Sequence, residues 1–97
     1  MTAGREDIAR ELERIVDRLG SMPLARAQGC DDAVHATAAA IVDLTGEHPS
    51  ADLPHLQAHA LGPLLAVVGH DYLATPQNDE RDQQVVDLLV ALRRDLP

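Results

Sequence analysis

Apolar residues recur every three or four positions along four stretches of this chain, and no run of β-branched or aromatic residues alternates at every second position. That spacing gathers each set on one side of an α-helix and leaves nothing to build a sheet. The expected fold class is all-α, and 97 residues hold one domain, 1–97, rather than two.

The first helix is expected from about Arg5 to Leu19, with Ile8, Leu12, Ile15, Val16 and Leu19 as its stripe and Gly20 as its stop. The second begins near Pro23, a good first-turn residue, and runs to Thr45 before Gly46. Ala27, Cys30, Val34, Ala38, Ile41 and Thr45 keep the spacing throughout. Gly29 costs about 1 kcal/mol there relative to Ala, and a break at Gly29 with Asp31 or Asp32 recapping is an alternative. The third helix is expected from Asp52 to Ala74, kinked at Gly62-Pro63 because Pro63 cannot donate to the carbonyl of His59. The fourth is capped by Asn78 or Asp79 and ends near Asp95, with Val85, Val86, Leu89, Leu92 and Leu96 inward. Four amphipathic helices with short connections pack most economically as an antiparallel up-down bundle.

Composition removes several function classes. The charge is −8, and all eight basic residues are Arg, a usage that with 15 Ala fits a GC-rich genome. Without Lys there is no Schiff-base or P-loop lysine. An acidic surface with no basic stripe and a single aromatic residue, Tyr72, opposes nucleic-acid binding. One cysteine makes neither an internal disulfide nor a four-thiolate zinc site, so a reducing cytoplasm is expected. Charge within Met1–Asp7 is unlike a signal peptide. Residues 53–70 lack Asp, Glu and Arg, but their His, Pro, Gly and Gln point to a buried helix and not to a membrane span.

Among chemical motifs the most specific is His55-Leu-Gln-Ala-His59, two imidazoles one turn apart on a helix face. Such a pair chelates zinc or another divalent transition metal, and in an up-down bundle Asp43, Glu47 or Asp95 would add a carboxylate. The bland alternative is two solvated polar residues in a chain with five His. No Glu follows His55, so the zinc-protease general base is absent.

The same helix order sets Cys30 and Asp31 level with His70 and Asp71, the minimum for an activated thiolate. Against this, Cys30 lies on an inward stripe, where cysteine is ordinarily an inert core residue. Ser21 and Ser50 sit in no Gly-x-Ser-x-Gly elbow. The third helix carries one stripe of Leu56, Ala60, Leu64 and Val67 and a second beside it, Leu61, Leu65, Val68 and Tyr72, which makes it central or an interaction face. The acidic group Asp79, Glu80 and Asp82 reads as helix-start electrostatics or as a dock for a basic partner.

The sequence-level expectation is a non-catalytic interaction module, meeting a second copy or a basic protein partner. A metal-binding protein or metal-dependent enzyme built on His55 and His59 is the alternative. A third reading is a small-ligand binder with a pocket opened beside Gly62-Pro63.

Overall fold

The computed structural model describes residues 3–46 and 60–97. Among them are five helices: α1 (Ala3–Ser21), α2 (Leu24–Gln28), α3 (Asp31–Thr45), α4 (Leu61–Ala74) and α5 (Asp79–Asp95). No strand occurs in the described residues. The chain is all-α.

The fifth helix comes from the break at Gly29. Pro23 caps α2, whose few hydrogen bonds end at the Gly29-Cys30 turn, where the Cys30 amide bonds to the carbonyl of Ala27 at 2.9 Å. Asp31 and Asp32 then occupy the first turn of α3, where carboxylates favour the positive end of the helix. α3 stops at Gly46, the only positive-φ residue described (φ 81°), whose amide caps the Val42 carbonyl. That left-handed conformation is open to glycine at no steric cost. At the start of α5 the Asn78 side chain accepts from the Arg81 amide at 2.8 Å.

Pro63 stands in the first turn of α4, where the missing N–H would have had no intrahelical partner. It interrupts nothing in the described helix. The rest of the expected third helix, residues 52–59, lies outside the described residues.

The stripes read from the sequence make one core. Ile8, Leu12, Ile15 and Leu19 of α1 meet Val34, Ala38 and Ile41 of α3, Leu61, Leu65, Val68 and Tyr72 of α4, and Val85, Leu89 and Leu92 of α5. Cross-helix contacts fix the directions. Gly4 and Arg5 meet Asp82, Glu11 meets Arg93 and Arg18 meets Pro97, so α1 and α5 run the same way. Arg5 meets Leu73, Leu12 meets Gly69 and Leu19 meets Gly62, so α4 runs against α1. Leu44 meets Arg81 while Cys30 and Ala33 lie by Leu96, so α3 runs against α5.

α3 and α4 are therefore parallel neighbours, and the order is up, down, down, up. This corrects the up-down-up-down order expected from the sequence. That expectation paired the second and third helices directly about a short polar loop, Gly46–Asp52. Gly46 instead lies at the Arg81 end and Ala60 at the Leu19 end. Thirteen intervening residues reach more than 40 Å when extended, against roughly 20 Å for a helix the length of α4.

α1 and α4 approach closely at Gly69. A Cβ there would meet the Leu12 side chain, at 2.7 Å from Cδ2 and 3.1 Å from Cγ. Leu12 is itself buried, so it has little room to yield. In an exposed helix interior Gly→Ala gains about 1 kcal/mol, whereas overpacking a core costs about 1–3 kcal/mol. Gly69→Ala is expected to be net destabilising by roughly 1 kcal/mol in urea unfolding, and Leu12→Ala in the same chain should remove the clash.

Candidate functional site

Two acidic residues fall on the apolar stripes, and both are buried. Asp82 precedes Val85, Leu89 and Leu92 at helical spacing, and only 3% of its surface is exposed. Glu11 lies between Ile8 and Ile15 and is also buried. Unpaired carboxylates in such places would be very costly, and each has partners.

The Tyr72 hydroxyl donates to Asp82 Oδ1 at 2.6 Å, and the Arg5 guanidinium lies 3.6 Å from the same oxygen. Arg5 also donates to the Leu73 carbonyl. One node thus ties α1, α4 and α5 together at one end of the molecule. Glu11 is held by Arg93 of α5 at 2.6 Å and by Arg14 of its own helix at 3.5 Å.

Burial raises the Tyr72 pKa well above its ordinary value near 10, and the hydrogen bond and negative charge of Asp82 push it the same way, opposed by Arg5 and Arg81. The hydroxyl is a fixed donor and not a proton shuttle. A tyrosine whose folded pKa is raised stabilises fully below its unfolded pKa. That contribution disappears as pH rises through and beyond about 10. Tyr72→Phe is expected to flatten the alkaline limb of stability above pH 10 in denaturant titrations, and to lower stability at neutral pH by about 1–3 kcal/mol.

The residues expected to present an interaction stripe, Leu61, Leu65, Val68 and Tyr72, are all buried within this chain's own core. They form no surface. The remaining face of α4 shows Val67, 60% exposed. His55, His59 and Glu47 lie outside the described residues. Asp43 is exposed near the end of α3, and Asp95 lies at the opposite end of the molecule, so the two cannot serve one metal. Among the described residues no three His, Cys, Asp or Glu gather as metal ligands.

Cys30 is buried, with its thiol 3.5 Å from the Arg26 carbonyl and Asp95, Leu96 and Pro97 nearby. His70 follows Gly69, halfway along α1, on the parallel helix α4. The Cys30–His70 pairing expected from an up-down order is corrected by the shared direction of α3 and α4, which sets the two at different levels.

Three hollows stand out among the described residues. One, of about 320 Å³, sits at Gly62 and Pro63 beside Val16, Leu19, Met22 and Leu24. Among the described residues its lining offers no polar side chain to orient a ligand. The second is the Cys30 hollow already described, of about 340 Å³. The third, of about 560 Å³, is an open groove between α3 and α5, which pack together less closely than α1 does with α4 and α5 or α3 with α4. Ala40, Leu44, Leu88 and Ala91 make its floor, Asp43 stands on one side, and Asp87 with Gln84 on the other. Arg81 spans its end, bonding to the Leu44 carbonyl at 3.5 Å and to Gln77 at 3.0 Å. No helix among the described residues is long and apolar enough to cross a membrane.

Searches against protein-family models, curated proteins and solved structures return no match for this chain.

Proposed function

We propose that this chain is a small acidic, non-catalytic helical protein of the cytoplasm that acts by binding another protein, either a second copy or a basic partner, through the α3/α5 groove. The groove itself carries the reading. It is an open apolar floor with polar edges, where Ala40 and Ala91 contribute little side-chain bulk. An apolar trough rimmed by charge suits the apolar face of a helix. The ionisable groups of the interior are engaged in holding helices together, as Asp82 and Glu11 are.

The test compares wild type with Leu88→Arg in affinity capture from the native cell, alongside light scattering of the purified protein. Leu88 is half-buried on the groove floor, so circular dichroism should confirm that the variant folds. The expected result is a retained protein, or a dimer, present with wild type and lost with Leu88→Arg. A monomer that retains nothing differently from the variant overturns the reading.

A further inference from the structure

We propose that the groove takes one basic amphipathic helix from another protein, with Arg or Lys on both flanks of an apolar stripe. This rests on the interaction reading above and names its partner. The floor runs from Gln84 to Ala91 along α5, about 10 Å or two turns of a docked helix. Apolar side chains at i, i+3 or i+4, and i+7 would settle over Leu44, Leu88 and the two alanines. Asp43 comes from α3 and Asp87 from α5, so a helix lying between them meets a carboxylate on each flank. Among the described residues the lining carries two carboxylates and no basic side chain, Arg81 standing only at one end with its guanidinium on the Leu44 carbonyl and Gln77, and the chain as a whole carries −8. Charge complementarity therefore calls for a cationic guest.

A second copy is the poorer occupant. A two-fold contact through this groove turns Asp43 and Asp87 of each protomer toward the same carboxylates of the other. On α1 the exposed Arg10 and Arg14 are paired already, with Asp7 and Glu11. A partner helix instead brings charges that the rims lack, and its binding should weaken as salt screens them.

The experiment uses two labelled synthetic helical peptides of about 16 residues, long enough to hold some helix in water. Both carry one leucine stripe; one is flanked by Arg, the other by Glu. Fluorescence anisotropy at low and high salt is read for wild type, for Asp43→Asn with Asp87→Asn, and for Ala91→Arg, an exposed site where the substitution leaves the core untouched. The Arg peptide should bind, weaken with salt, weaken roughly two- to thirtyfold in the double Asn variant and fail with Ala91→Arg. Equal binding of the two peptides overturns the basic-helix proposal and leaves the interaction reading standing. So does a concentration-dependent dimer broken by Ala91→Arg when neither peptide binds. No peptide binding by a monomer overturns the proposal and, with nothing captured by wild type, the interaction reading as well.

Discussion

Leu65→Ala is expected to lower the unfolding free energy by about 2–5 kcal/mol, a Tm drop on the order of 10–30 °C for a domain of this size. Leu65 is fully buried and packed in the cluster shared by α1, α3, α4 and α5. Truncation removes its transfer free energy and leaves a void that four tightly spaced helices cannot collapse into. Val67, two residues on, is 60% exposed, and Val67→Ala should change stability by no more than about 0.5 kcal/mol. Urea unfolding of the pair checks the assignment of the α4 stripe. A Leu65→Ala protein as stable as wild type would mean that this stripe faces outward.

Asp82→Ala should cost about 2–4 kcal/mol, more than an exposed carboxylate at a helix start ever contributes. The substitution leaves the Tyr72 hydroxyl buried without its acceptor and Arg5 without its carboxylate. Arg5 keeps its bond to the Leu73 carbonyl and is about a quarter exposed, which holds the loss below that of a fully buried pair. Adding Tyr72→Phe to Asp82→Ala should cost much less than Tyr72→Phe costs in wild type, because the hydroxyl's partner is already gone. Thermal or urea unfolding of the four proteins in this cycle measures that coupling. Strict additivity would show that the node is not one unit. Glu80, exposed on the same first turn of α5, serves as the control for helix-start charge alone: Glu80→Ala should cost no more than about 1 kcal/mol.

The buried acids show where a sequence reading stops. Asp82 and Glu11 lie on the stripes at helical spacing, so their burial has a visible signal in the chain. Read singly, an acid beside a helix start is explained by the dipole alone, and that explanation hides the stripe position. Tyr72 was legible as part of the apolar face of α4, but its acceptor lay ten residues away on the next helix. The groove had less signal still. Alanines at 40 and 91 contribute little side-chain bulk, yet which helices face each other is not written in either segment.

The chain by itself determined that the fold is all-α and, among the described residues, most of the inward faces and helix ends, though not that the second stretch divides at Gly29 or that Val67 faces out. Those depend on 3–4 spacing, on Gly46 and on Asn78, all local effects of backbone geometry. Only the tertiary structure decided that α3 and α4 run in parallel. A long connection costs little more to close than a short one, so the two orders are nearly equal in local terms and the packing of whole faces selects between them. With that choice, Cys30 parts from His70, Asp43 from Asp95, and an acidic-edged trough is left between α3 and α5.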